Sequence, residues 1–395
     1  MIKSIRIKHF KAVKDSGTIQ LGPLTVFVGH NGTGKSSIIE ALEFFKNYAT
    51  RSIGQALEPW HEFDHILWQG TARNPTLSAP FFTSPMEMIL TGSEPGKGDV
   101  GSWSSETKFS KLSGKLGRYP AGMVVPQSEQ LTLSRRFKRH RKFGGPVFQQ
   151  FKDRTDALDV SPEVSIFRAK PAPDFGNWIF LSLDPTHISE PRPRRHLFDS
   201  SLDRTGGNLS QYLRSFIEID PEGYGAMIEA LGFILPYAAD VQPEVTSDLI
   251  NQMSFIRLVE SFEDGGHVKL PGWVLSGGTL RILTMLTALR HPTPPSVLFI
   301  EELENGLDPR ALGFIVDEIK YAIESGKTQV IATTHSPYLL DKLLLSHVVT
   351  VDRNPGQPPV FSRPSDRENL KAWSEKFAPG SLYTMGMFRN EGGLQ

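Results

Sequence analysis

Two hydrophobic rhythms divide this chain. Continuous apolar runs, Leu24-Thr25-Val26-Phe27-Val28, Ser296-Val297-Leu298-Phe299-Ile300, Gln329-Val330-Ile331-Ala332-Thr333 and Val348-Val349-Thr350-Val351, read as strands covered on both faces. Between them apolar positions recur at helical spacing: Ser37 to Phe45; Leu209, Tyr212, Leu213 and Phe216; Met227, Ile228, Leu231 and Phe233; Ile282 to Leu289; Leu312, Ile315, Val316 and Ile319. Pro221 opens the third of these helices and Pro236 closes it. Ile5 and Ile7 alternate with polar neighbours, and a turn at Asp15-Ser16-Gly17 leads to Thr18–Leu21. Antiparallel strands are thus predicted ahead of a parallel core. A hairpin is predicted from Phe255–Glu260 through Asp264-Gly265-Gly266 to the residues after His267.

Elsewhere the rhythm fails. After Asn47 it breaks, with Trp60, Phe63, Ile66, Leu67 and Trp68 forming a short packed element. Over 95–200 glycine, serine and proline are frequent and periodicity is weak. The pattern predicts four segments: 1–94, a basic irregular insertion over 95–200, a helical lobe with hairpin over 201–270, and 271–395.

Composition narrows the class. With 395 residues the chain can bury a large core, and its 43 basic and 43 acidic residues leave no net charge to favour or exclude a polyanion. It has no cysteine, so disulfides, thiolate zinc sites and cysteine nucleophiles are excluded. No run has the length of a membrane span, and Met1–Arg6 lacks the apolar core of a signal peptide. The expectation is a cytoplasmic protein with no membrane partner.

The charge is uneven. Residues 101–200 carry 17 basic against 10 acidic residues, peaking at Arg135, Arg136, Lys138, Arg139, Arg141 and Lys142 with Phe137 and Phe143 interleaved. A second cluster is Arg192, Arg194, Arg195 and His196. Such patches suit a DNA or RNA backbone, with aromatics stacking on bases. They equally suit a solvated face or an acidic protein partner.

The most specific motif is Gly29-His30-Asn31-Gly32-Thr33-Gly34-Lys35-Ser36-Ser37, between the first buried strand and the first helix. Strand, glycine-rich turn and Lys-Ser at a helix start is the context of a triphosphate cradle. Backbone N–H groups along the turn bind phosphate oxygens, Lys35 reaches the β- and γ-phosphates, and the Ser36 hydroxyl ligates Mg²⁺. Lys11 could touch the nucleotide or be a solvated strand-end lysine. Gln69 could contact Mg²⁺ and water or be a surface residue.

A second anion-seeking helix start is Leu275-Ser276-Gly277-Gly278. The strand ending at Ile300 delivers Glu301 and Glu302 to its carboxyl edge. Glu301 suits Mg²⁺ through water, and Glu302 suits orienting or deprotonating the water that attacks the γ-phosphate. Asp308 follows, and Thr334-His335-Ser336-Pro337 ends the next strand, where His335 could bond the γ-phosphate or hold the water.

In this order the motifs resemble the ATP-binding-cassette (ABC) ATPases. Ile7-Lys8-His9-Phe10-Lys11, the phosphate loop and Glu302-Leu303-Glu304-Asn305-Gly306-Leu307-Asp308-Pro309 resemble more narrowly the RecF/SMC-like, AAA-family branch, including the ATPase part of the overcoming-lysogenization-defect (OLD) proteins. The resemblance covers both ends and 202–245 but not 95–200. It implies an α/β fold: an ABC-type P-loop ATPase head with a mixed central sheet, plus a helical or irregular inserted lobe.

It further implies ATP and Mg²⁺ as cofactors and a head-to-tail dimer, or a higher oligomer of dimers. Ser276, Gly277 and Gly278 of one copy would face the nucleotide held by Lys35 of another, with Asp308 at that interface. No heptad arm or Cys-x-x-Cys hook is present, and only about sixty residues follow His335, too few for the nuclease domain of OLD proteins. The resemblance therefore implies an ATPase without its own nuclease, acting on a separate effector in bacterial anti-phage defence. Two alternatives are the energising subunit of a transporter, and a protein-only switch gripping an effector through the basic segment.

Overall fold

The computed structural model describes residues 1–68, 85–93, 102–112, 123–133, 137–142, 147–151, 154–158, 165–168, 172–193, 201–247 and 252–389. The chain divides into two compact units: Met1–Gly176, Leu345–Phe377 and Met385–Gln395 form the first, Asn177–Leu344 and Ala378–Thr384 the second. Along the chain the first change of unit falls between Gly176 and Asn177.

The first unit opens with β1 (Ile2–Phe10), β2 (Val13–Asp15), β3 (Ile19–Gln20) and β4 (Leu24–Val28), then α1 (Lys35–Thr50), α2 (Ile53–Leu57) and α3 (Phe63–Ile66). Six strands follow: β5 (Met86–Ser93), β6 (Ser102–Lys111), β7 (Val124–Leu133), β8 (Phe137–Lys142), β9 (Val147–Phe151) and β10 (Arg154–Leu158). They join β1 in an antiparallel sheet of order β10-β9-β8-β7-β6-β5-β1-β2, with β3 also on β1. This corrects the expectation of an irregular insertion. Burial alternates along β5 and β6 as a half-covered sheet requires, but Ser105 and Thr107 occupy covered positions of β6. The burial has period two while the hydropathy does not.

Helix α1 ties the phosphate loop to this sheet. Phe44 and Tyr48 meet Phe109 edge-on at 5.0 and 4.8 Å, and Phe45 meets Phe167 and Phe175 at 5.3 and 5.2 Å. Such pairs contribute about 0.5–1.5 kcal/mol each beyond the area they bury.

The second unit contains β11 (Trp178–Leu181), α4 (Pro185–Ser189), β12 (Arg192–Pro193), α5 (Leu209–Ile219), α6 (Pro221–Ile234), β13 (Ala238–Val245), β14 (Met253–Ser261) and β15 (His267–Pro271). It continues through α7 (Gly277–Arg290), β16 (Val297–Ile300), α8 (Pro309–Glu324), β17 (Gln329–Thr334) and α9 (Pro337–Leu340). Strands β11, β16 and β17 are parallel and buried along their length. Strands β12 to β15 form a separate antiparallel sheet. Helix α7 is buried from Leu280 to Leu289 except Arg281, and Thr284 and Thr287 fit there by donating to Leu280 and Leu283 carbonyls at 2.8 and 2.7 Å.

The chain then adds β18 (Val348–Asp352), β19 (Val360–Ser362) and α10 (Glu368–Ser374) to the first unit, and α11 (Pro379–Thr384) to the second. β18 pairs in parallel with β4, and β19 antiparallel with β18. No described helix is long and apolar enough to cross a membrane.

Candidate functional site

In the first unit the five buried residues of β4 aim the loop outward, and β18 sets its first turn. A methyl group on Gly29 would lie 2.3 Å from the Val351 carbonyl oxygen, so only glycine fits beside that strand. Gly32 and Gly34 have φ of +76° and +106°, in the left-handed region that glycine enters without strain. Lys35 is buried and its Nζ donates to the Gly29 and His30 carbonyls at 2.7 and 2.9 Å, so the ammonium spans the mouth of the turn. Thr33 closes the turn by donating its hydroxyl to His30 at 2.9 Å.

Helix α1 begins with Gly34 at its N-cap, no side chain caps its first N–H groups, and its first turn holds no acid. These donors and the positive dipole end fit a phosphate. Asn31 and Ser36 are exposed beside them, and Ser37 is buried. The exposed Ser36 hydroxyl is an oxygen donor of the kind that suits Mg²⁺, which keeps few protein ligands.

The rim of this loop was not foreseen. Arg353 donates to the Gly32 carbonyl at 3.3 Å, and Arg389 lies 3.4 Å from His30 Nε2. Burial raises the Asp352 carboxyl, opposed by the charges of Arg367, Arg389 and His30. All three arginines lie far along the chain from the motif, in a region without periodicity. Lys11 pairs with Glu40 at 2.6 Å, and Gln69 lies outside the described residues.

In the second unit β16 and β17 deliver the acidic edge. The Glu301 carboxylate is mostly covered and ion-paired with Arg204. Glu302 is exposed and its φ is +50°, a conformation that costs a non-glycine residue about 1–2 kcal/mol. Thr333 Oγ1 holds it by accepting the Glu302 N–H at 3.0 Å. Strain kept at an exposed carboxylate is a mark of functional sites. Glu304 accepts the His335 N–H at 2.9 Å and lies 3.1 Å from the His335 Nδ1. Neither Arg204 nor Glu304 carried a sequence signal beyond its proximity to a motif.

Ser276 is exposed and caps α7, accepting the Thr279 N–H at 3.1 Å. Gly277 and Gly278 follow, half-buried, in the first turn of α7. Asp308 caps α8, accepting from Arg310 and Ala311 at 2.8 and 3.0 Å, with its side chain at the surface. Burial lowers the Arg281 guanidinium, offset by Asp184 and Glu302.

The basic cluster is corrected. Arg139 and Arg141 are alternate residues of β8 and point to its covered face, with 0% and 3% exposure. Arg141 Nε donates to Glu129 at 2.8 Å, Glu129 also accepts from the Tyr48 hydroxyl, and Arg139 donates to the Ile166 carbonyl at 2.8 Å. They are interior charges and not nucleic-acid contacts. Lys138 is half-buried and Lys142 exposed. Arg135, Arg136, Arg194, Arg195 and His196 lie outside the described residues.

The family described as "AAA domain, putative AbiEii toxin, Type IV TA system" matches residues 24–341. The DNA replication and repair protein RecF of Porphyromonas gingivalis strain W83 is 26% identical over 151 residues, 38% of this chain and 39% of its own length. RecF of strain ATCC 33277 matches with the same figures. The match thus spans about two fifths of the length of these curated relatives. A solved Smc head bound to the C-winged helix domain of ScpA has a TM-score of 0.54 at 14% identity, covering 91% of this chain and 96% of that one. The SMC head domain from Thermotoga maritima has a TM-score of 0.45 at 15% identity, covering 92% and 98%. With more than half of its length matched, the chain belongs to this AAA-domain family, and its fold is similar to that of the Smc head.

Proposed function

We propose that the protein is the ATP-hydrolysing switch of a two-component system, in which two copies close head to tail over ATP and the closed state governs a separate effector. The observation that carries this reading is the start of α1: an uncapped, acid-free helix end preceded by a loop that only glycine can follow. Lys35 and the N–H groups from Gly29 to Ser37 bind the phosphates, and Ser36 and Glu301 hold the metal. Bound Mg²⁺ supplies positive charge to the β- and γ-phosphate oxygens. Glu302 orients or deprotonates the attacking water, with His335 beside it.

Ser276, Gly277 and Gly278 serve the nucleotide of the other copy. The exposure of Ser276 at the N-cap of α7 supports this. Asp308 lies at the same interface in this reading. A separate effector is in keeping with a family description that names a toxin within a toxin–antitoxin system. It is also in keeping with a solved head that carries a domain of another protein. A role in bacterial anti-phage defence belongs to the same proposal.

The burial of Arg139 and Arg141 favours a protein-only switch over one that reads nucleic acid through β8. Lys138 and Lys142 remain for a DNA or RNA contact. Glu302→Gln tests the core of the reading. It should bind ATP, lose turnover by about a hundredfold or more and accumulate as dimer; normal turnover would remove Glu302 from the chemistry.

A further inference from the structure

In the first unit the segment from Gly386 to Arg389 returns to the phosphate loop. Gly386 turns the chain with φ +74°, and Arg389 closes the turn by donating its backbone N–H to the Gly386 carbonyl at 3.2 Å. Phe388 is buried, and the Arg367 guanidinium donates to the carbonyls of Met387, Phe388 and Arg389 at 3.5, 2.6 and 3.1 Å. One arginine thus holds three consecutive carbonyls, and the backbone of Arg389 is held where its side chain begins.

That side chain runs to the loop, where one Nη lies 3.4 Å from Nε2 of His30, the residue after Gly29. Arg389 is exposed, and its guanidinium makes no ion pair and no other hydrogen bond among the described residues. Asp352 feels its charge without being bonded to it. A guanidinium carries five N–H donors in a planar fork, and one long bond to an imidazole uses a single donor. Arg353, the other arginine at this rim, is bound to the Gly32 and Gln357 carbonyls at 3.3 and 3.1 Å and serves the shape of the loop. Arg389 keeps its fork for something else.

We infer that Arg389 is a further nucleotide-binding residue, whose fork closes on phosphate oxygens of the triphosphate in the loop, and that Arg367 is its positioning residue. The inference deepens the proposed reading and rests on it, since it takes ATP to bind at Lys35. Bonds from a guanidinium to phosphate oxygens are charge-assisted and can be bidentate, which an imidazole cannot offer.

Calorimetric binding of Mg-ATP and of tripolyphosphate to the full chain tests this with Lys35→Ala, Arg389→Ala, Arg389→Lys, Arg367→Met and the double variant of Arg367→Met with Arg389→Ala. Arg389→Ala should weaken both ligands by about ten- to hundredfold, the range of a hydrogen bond to a charged group, with the urea midpoint of the parent. Arg389→Lys should recover part of that loss. Arg367→Met should weaken ATP as Arg389→Ala does, and the double variant no further, because Arg367 acts through Arg389. In turnover the loss should appear in KM, with kcat within about threefold of the parent.

An ATP affinity for Arg389→Ala within about twofold of the parent overturns the inference. So does a loss confined to kcat, or one that spares tripolyphosphate and so moves the contact to the nucleoside. A double variant weaker than either single one removes Arg367 as the positioning residue. If Lys35→Ala also binds ATP as the parent does, the loop is not the nucleotide site and the reading beneath the inference fails with it. If Lys35→Ala loses ATP and Arg389→Ala keeps it, that reading stands and the inference alone fails.

Discussion

Gly278 and Gly306 lie backbone to backbone: a methyl group on Gly278 would sit 2.6 Å from the Gly306 carbonyl oxygen. The start of α7 is thereby packed on the turn between Glu302 and Asp308. Gly306 itself has φ +71°, and Arg281 lies where its side chain would be. Gly278→Ala should cost about 1–3 kcal/mol in urea unfolding and reduce ATP turnover. Gly277→Ala, whose methyl would meet two Pro185 ring carbons at 3.2 and 3.4 Å and no backbone, should cost less on both counts.

Gly29 is confined in the same way in the other unit, by a β18 carbonyl that cannot retreat without leaving β4. Gly29→Ala should therefore abolish ATP binding, measured by calorimetry, and lower the unfolding midpoint. Gly32, whose methyl would meet nothing within 4 Å, isolates the conformational effect: Gly32→Ala should cost about 1–2 kcal/mol through φ alone.

The Tyr48, Glu129 and Arg141 network makes a charge-reversal scan misleading unless folding is measured beside it. Arg141→Ala strands a buried Glu129 and should destabilise the protein by about 3–5 kcal/mol. Lys142→Glu, on an accessible position of the same strand, should leave stability within about 0.5 kcal/mol. Binding to duplex DNA is therefore to be tested with Lys138 and Lys142. Loss of binding in that pair alone would support a nucleic-acid contact.

His291 predicts a pH dependence in the second unit. The ring is 3% exposed and stacks on Tyr212 at 4.2 Å, and burial lowers its affinity for a proton. Below its ordinary value near 6.5 the unfolded chain binds a proton that the folded chain refuses, so stability falls as pH drops through that window. Urea unfolding at pH 7.5 and 5.5 should show the loss, and His291→Gln should flatten the slope while lowering stability at both.

Much of the second unit and the phosphate loop was legible because burial and hydropathy coincide there. Strands β4, β16 and β17, helices α5 to α8 and the β14–β15 turn follow from runs and spacings that leave little choice. The β5–β10 sheet was not legible. Its covered positions include Ser105, Thr107, Arg139 and Arg141, which satisfy the pleat with hydroxyls and paired charge. A run such as Arg139-His140-Arg141 reads as surface until its partner Glu129 is known. Helix α1 also runs to Thr50, past the break at Asn47, because Tyr48 and Ala49 bury against tertiary neighbours.

Complementation between two inactive chains tests the shared site most directly. Lys35→Ala removes the phosphate grip and Ser276→Arg blocks the exposed start of α7, so each variant alone should be inactive. Mixed in equal amounts they should recover turnover from about one intact composite site per mixed dimer. Mixed dimers that form, as seen by energy transfer between labelled chains, yet show no turnover would contradict assembly of the active site from two copies.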